Sequence, residues 1–256
     1  MTGHETPRTV FIGCAGWNVA RSIAADPASE GSQLQRYASS FRAVEINSSF
    51  HRAHRRATYE RWSESVPASF RFSVKIPKTI THEKRLVDCH DPLHKFLGES
   101  LGLGNRLGAL LVQLPPSLEF DPLVVEAFFE DLRSGYAGSV VIEPRHKTWF
   151  APDANRMLQR LGITRVAADP AVVPAAAEPG GNPGIVYFRL HGSPQVYYSS
   201  YTTAFLDGLA FRLRTYARAG TTVWCIFDNT IKGSATVNAQ HLMRKIVLEE
   251  TAMAAR

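Results

Sequence analysis

Residues 184–192 read GIVYFRLHG. A β-strand turns successive side chains to opposite faces, so Phe188 and Leu190 share one face while Tyr187, Arg189 and His191 share the other. Both faces carry bulk, and the polar groups crowd the carboxyl end. A strand covered on both sides belongs to a parallel sheet flanked by helices. Working outward, seven further runs have the same character: Val10–Cys14, Ala43–Asn47, Phe70–Lys75, Ala109–Gln113, Ser139–Glu143, Thr164–Asp169 and Thr222–Phe227. They recur at intervals of roughly 30 residues, the length of a βαβ unit. Between most of them lie segments of helical period. Leu34, Tyr37, Ala38 and Phe41 share a face, as do Val124, Val125, Phe128, Phe129 and Leu132, and again Leu206, Leu209, Ala210 and Leu213. Ala235, Ala239, Leu242, Met243 and Ile246 mark a last amphipathic helix.

Eight such units without a break predict an α/β chain closed into a single, parallel, eight-stranded (β/α)8 TIM barrel; an open doubly wound sheet is the competing architecture. The sixth crossover is irregular. Its sequence from 170 to 184, PAVVPAAAEPGGNPG, holds four prolines and cannot form an ordinary helix. No composition shift divides the chain, which reads as one domain over 8–250 with flexible tails at 1–7 and 251–256.

The 256 residues are 45% hydrophobic and 20% charged, which excludes disordered and fibrous classes. No apolar run approaches the roughly 18 residues needed to cross a bilayer, and Met1 to Thr9 lacks a signal peptide's apolar stretch, so a cytoplasmic protein without a membrane partner is expected. Cys14, Cys89 and Cys225 form no CxxC pair and read as reduced thiols, Cys14 and Cys225 as buried and inert. The net charge of +6 leans weakly towards anionic partners. His51, Arg52, His54, Arg55, Arg56 and Arg61 form a basic cluster that could track nucleic-acid phosphates; a solvated loop and helix start is the favoured reading, because no aromatic residues are interleaved for stacking. No phosphate-binding glycine loop follows a strand, so no nucleotide cofactor is expected.

The candidate site follows from parity. Glu45 and Asn47 lie opposite Val44 and Ile46; Glu143 and Arg145 lie opposite Ile142; Lys75, Gln113 and Asp169 hold the late positions of strands three, four and six. The apolar set must meet the helices, so the polar set converges on the mouth at the carboxyl ends, where barrel enzymes keep their chemistry. Glu45 and Glu143 are the candidate base and acid, and His191 a proton carrier. Lys75, Arg145 and Arg189 are anion holders. Asn47, His82, Gln113, Trp149, Tyr201 and Asn229 complete the substrate-binding candidates, with Trp17, Tyr197 and Tyr198 as possible walls. His82 lies in PKTITHEKRL, the loop leaving strand three. Glu45, Glu143, Asp169, His191 and Asp228 are the candidate ligands should a divalent metal bind, although the cations among them weaken that reading. A salt-bridge lattice filling the barrel would need the same residues.

These residues lie in blocks that resemble the DUF72 family, the YecE-like proteins. The blocks are GCAGW (13–17), FRAVEINSSFHR (41–52), RFSVKIPKTITHEKRL (71–86), GALLVQLPPS (108–117), VIEPRHKTW (141–149), YFRLHG (187–192) and FDN (227–229). The resemblance implies a TIM barrel and a shared pocket, not a reaction. Where the family pattern reads GTSGW, FYR and FNN, this chain has GCAGW, Phe50-His51-Arg52 and Phe227-Asp228-Asn229. The expected function is acid–base chemistry, of hydrolase or lyase/isomerase type, on a small anionic, phosphorylated or sugar-like substrate. A nucleic-acid binding or processing protein and a non-catalytic ligand-binding barrel are the alternatives.

Overall fold

The computed structural model describes residues 9–18 and 31–254. Strands β1 (Val10–Ala15), β2 (Ala43–Ile46), β3 (Arg71–Lys75), β4 (Leu107–Gln113) and β5 (Val140–Glu143) run parallel in sequence order, and β9 (Ile185–Leu190) and β10 (Thr222–Phe227) continue the sheet back to β1. Helices α1 (Gln33–Ala38), α2 (Arg56–Glu64), α3 (His90–Ser100), α4 (Pro122–Gly135), α5 (Pro152–Arg160), α6 (Thr203–Arg218) and α7 (Ser234–Ala254) coat it.

The sixth run is broken at Val166. Its first half, β6 (Ile163–Arg165), pairs with β5, and its second half, β7 (Ala167–Asp169), pairs with β9. One stretch of chain thus passes the hydrogen-bond ladder from one neighbour to the other and closes the ring, which excludes the open doubly wound sheet. The edge of β6 that β9 does not reach takes a short antiparallel partner, β8 (Gly180–Gly181), from the sixth crossover. Gly181 has φ +69°, and a Cβ there would stand 2.1 Å from the Ile163 carbonyl oxygen. The rest of that crossover holds a 3-10 turn at Pro174–Ala177 and no α-helix, as its prolines require.

The helices start and pack as their sequences dictate. Asp121 caps α4 by accepting from the Leu123 and Val124 amides, Pro122 opens its first turn, and Val125, Phe128, Phe129 and Leu132 are buried. Ser32 and Gln35 close a capping box on α1. Thr202 caps α6 through the Phe205 amide. α7 runs to Ala254, into the segment expected to be a tail; the expected tail at 1–7 lies outside the described residues. No helix among the described residues is long and apolar enough to cross a membrane.

The core has two layers, and strand parity separates them. Val44, Ile46, Phe72, Val74, Phe188 and Leu190 pack outward against the helices. Ala43, Ala109, Leu111, Val141, Tyr187, Trp224 and Ile226 fill the barrel. Trp224 stacks on Tyr187 with ring centres 5.7 Å apart and lies 4.9 Å from Phe11. Those rings close the lower barrel, so the polar side chains above them form a floor rather than a channel.

Candidate functional site at the barrel mouth

Arg189, on β9, stands at the centre. Its Nε and Nη2 donate to the two oxygens of Glu45 on β2 at 3.0 and 2.6 Å, and its Nη1 donates to Glu143 Oε2 on β5 at 2.5 Å. Nη2 also reaches Asp228 Oδ2 at 3.1 Å, and Nη1 lies 3.5 Å from Gln113 Oε1. A guanidinium fork is the cation that satisfies carboxylates arriving from several directions. Beneath it, the Tyr187 hydroxyl donates to Glu45 Oε2 at 2.9 Å and meets Ser73 Oγ at 2.9 Å. The Arg189 and Glu45 side chains are 0% exposed and Glu143 is 1% exposed. These three are sealed from any ligand.

His191 sits between two acids, with Nδ1 3.0 Å from Asp228 Oδ2 and Nε2 2.8 Å from Glu143 Oε1. Burial alone would lower its pKa, but the Glu143 charge and the hydrogen bonds to Asp228 and Glu143 outweigh burial and Arg189, and the pKa is raised. Burial likewise works against ionisation of Glu143 and Asp228. For Glu143 the charges of Arg189, His191 and Arg145 prevail and hold it well below the ordinary carboxylate range. For Asp228, Arg189 and His191 do the same to a smaller degree. A carboxyl held ionised this firmly does not serve as the general acid expected of Glu143, and Glu45, closed beneath Arg189, does not reach a ligand as a base.

The accessible rim is different. Arg145, 20% exposed, donates to Glu143 Oε1 at 2.6 Å and keeps its Nε buried without a partner among the described residues. The Lys75 ammonium, on β3, lies 3.9 Å over the Phe50 ring and forms no ion pair among the described residues. Burial, seconded by the Arg189 charge, pulls its pKa down to about 8 against the opposing pull of Glu45, Asp228 and Glu143. His82, on a π-helical turn (Thr79–Glu83), packs edge-on to Phe50 at 4.9 Å, and its pKa is lowered by burial and then by the charges of Lys75 and Arg145. Tyr197 stands edge-on to the His191 ring at 6.0 Å. Asn47 stands at the N-cap position of the short helix Ser48–His51 without a side-chain capping bond, its buried Oδ1 unpartnered among the described residues.

Other candidates do not join this group. Trp149 is fully buried in the outer layer, donating its Nε1 hydrogen to the Leu118 carbonyl at 2.9 Å, because its 3-10 turn folds back beneath the rim. Tyr201 accepts from the Gly192 amide and donates to Asp169 Oδ1, both at 2.8 Å, which ties the loop after β9 to β7 and holds Asp169 away from the Arg189 cluster. Asn229 is buried and donates to Ser199 O and Asn238 Oδ1. Trp17 packs on Trp62 at 5.1 Å and Tyr198 lies under Lys232. The proposed metal ligands fit poorly. Both Glu45 oxygens, both Glu143 oxygens and Asp228 Oδ2 already face Arg189, Arg145 or His191, and Asp169 is elsewhere. In the basic cluster, His54 is packed against Tyr59 and Trp62 and bonded to Ser48, and Arg56 pairs with Glu60. Phe50, Ser73 and Tyr187 are site residues that sequence reasoning did not assign. For Ser73 and Tyr187 the signal was available, since they share parity with Lys75 and Arg189.

The Glu45, Lys75, Glu143, Arg189 and Asp228 constellation lies within a stretch, residues 11–256, that matches the family model described as "Protein of unknown function DUF72". The chain belongs to the DUF72 family. It is 30% identical over 175 residues to the UPF0759 protein YecE of Escherichia coli strain K12, a match covering 65% of this chain and 61% of that relative. The UPF0759 protein YunF of Bacillus subtilis strain 168 is 26% identical over 151 residues, 56% of this chain and 53% of the relative. The chain's matched region thus spans less than two thirds of the length of these relatives. Crystal structures of DUF72 family proteins share the fold. That from Enterococcus faecalis V583 aligns with TM-score 0.76 and 21% identity over 93% of this chain and 95% of its own. That from Thermotoga maritima MSB8 aligns with TM-score 0.73 and 25% identity over 94% and 99%.

Proposed function

We propose that the mouth of this DUF72 barrel binds a small anion and moves a proton on it, in the manner of a lyase or isomerase. The observation that carries the reading is the sorting of charge by depth: Glu45, Glu143 and Arg189 neutralise one another in the sealed floor, while Arg145 and His82 reach the accessible rim and the largely buried Lys75 lies close to them. A ligand entering the mouth meets these cations and Asp228, whose side chain is 11% exposed. Arg145 offers the remaining donors of a fork that suits a carboxylate or phosphate. Lys75, with a pKa of about 8, exchanges its proton close to neutral pH and is the group suited to act as general base or acid. Glu143, Asp228 and His191 act as positioning residues that hold Arg145 and Arg189 in place.

Calorimetric titration of inorganic phosphate into the full chain tests the reading. Phosphate is expected to bind, with at least tenfold loss in Arg145→Ala and in Lys75→Met while both keep native circular dichroism. No binding to the unaltered protein, or equal binding to all three, would overturn it. A second reading, a polyanionic partner, rests on a groove of about 220 Å³ that begins at Phe50 and is lined by His51, Arg52, Lys78 and Lys95. It predicts salt-dependent binding of a mixed single-stranded oligonucleotide that Arg52→Ala weakens.

A further inference from the structure

His90 and His94 are four residues apart on α3, which places them on one helix face a single turn apart. α4 packs beside α3 and presents Asp131 to both of them. His90 Nδ1 lies 2.9 Å from Asp131 Oδ1, and His94 Nε2 lies 2.8 Å from the same oxygen. The two imidazoles are 4.3 Å apart between centres and inclined by 37°. Two nitrogens and one carboxylate oxygen, within 4.8 Å of one another, converge on one point; among the described residues no other group of three or more such donors does so. The ring of His94 is held over Gly135, where an added Cβ would come within 3.3 Å of its Cε1, so the helices approach closely enough to fix that imidazole.

We propose that His90, His94 and Asp131 form a binding site for a divalent transition-metal ion of the zinc type. Two imidazole nitrogens select a borderline ion such as Zn²⁺ over Mg²⁺ or Ca²⁺, which require oxygen donors. In their present contacts the two rings share one carboxylate oxygen through N–H groups. A metal takes the place of those hydrogens. His90 then carries its proton on Nε2, His94 carries its own on Nδ1, and Asp131 supplies the third ligand; each metal–ligand bond is roughly 2.0–2.2 Å. His90 is exposed, leaving the fourth tetrahedral position to water. Such an ion clamps α3 to α4 on the outer layer. It also fixes the end of the segment that leaves β3, carries His82 over the mouth and enters α3 through the left-handed residues Arg85, Leu86 and Asp88. The site is separate from the anion reading, since none of its ligands contacts the mouth.

Zn²⁺ titrated by calorimetry into the full chain, freed of metal by chelator and dialysis, tests the proposal. One equivalent is expected to bind in the micromolar range, to shift the His90 and His94 ring resonances, and to raise the melting temperature by linkage. His94→Ala and Asp131→Asn should each weaken binding at least tenfold, and His51→Ala should leave it unchanged. All three positions are at least partly exposed, so the variants are expected to fold, with circular dichroism as the check. Absence of binding at millimolar Zn²⁺, or binding that His94→Ala and Asp131→Asn leave intact, overturns the proposal whatever the outcome of the phosphate titration.

Discussion

Lys75 is a buried ammonium that lies over an aromatic face and forms no ion pair among the described residues. The folded chain therefore holds the Lys75 proton less firmly than the unfolded chain does, with a pKa of about 8 in place of 10.5. Below about pH 8 both states are protonated and the buried charge subtracts from stability. As pH rises from 8 towards 10.5 only the unfolded chain keeps its proton, so the deficit fades, and above 10.5 it is gone. Lys75→Met should then stabilise the protein at pH 7 by up to roughly 3 kcal/mol, an advantage that vanishes above pH 10.5. Urea unfolding at the two pH values measures it, and a variant less stable than the parent at pH 7 would show that the ammonium is fully compensated in place. Strand parity read from the sequence assigned Lys75, Glu45, Glu143 and Arg189 to one cavity. It could not assign partners across that cavity, because those depend on the stagger of strands distant in sequence. That is why an acid–base pair was expected where Arg189 in fact absorbs both carboxylates.

At the scale of elements, the seam between β1 and β2 is held by a side chain. The Tyr37 hydroxyl, from α1, accepts from the Cys14 amide and donates to the Ala43 carbonyl, both at 2.8 Å, bridging two strands where a direct ladder bond would otherwise stand. Gly13 permits this approach, since a Cβ there would sit 2.0 Å from the Ala43 oxygen and 2.9 Å from the Tyr37 hydroxyl. Tyr37→Phe keeps the ring stacked on Phe41 but orphans a buried donor and a buried acceptor, and should cost roughly 1–3 kcal/mol in chemical denaturation. A loss near zero would mean that the two strands re-form their direct bond. The helical face carrying Tyr37 was legible from period alone, and the broken sixth crossover from its four prolines. The bridge was not, because a tyrosine on an apolar helix face reads as packing. The break at Val166 was equally silent: TRVAAD looks like one continuous strand, and only ring closure forces it to change partners.

For the molecule as a whole, the net charge of +6 says less than where charge is stored. The barrel holds its most buried ion pairs in a sealed floor, so the fold's stability depends on the ionisation of that floor. Glu143 and Asp228 have lowered pKa values, so their contribution is complete above the ordinary carboxylate range and is lost as pH falls through their depressed values. His191 has a raised pKa, so its contribution is complete below about 6.5 and is lost as pH rises through its folded value. Together they define a window from about 4.5 to 6.5 in which the cluster stabilises the barrel most. His191→Gln keeps a polar group between Asp228 and Glu143 but cannot carry the charge. Its stability deficit relative to the parent protein, followed by urea unfolding, should accordingly be largest near pH 6 and shrink towards about pH 9. A deficit that stays constant over that range would mean that His191 is neutral in the folded barrel, with Arg145 and Arg189 supplying the charged hydrogen bonds that Glu143 accepts.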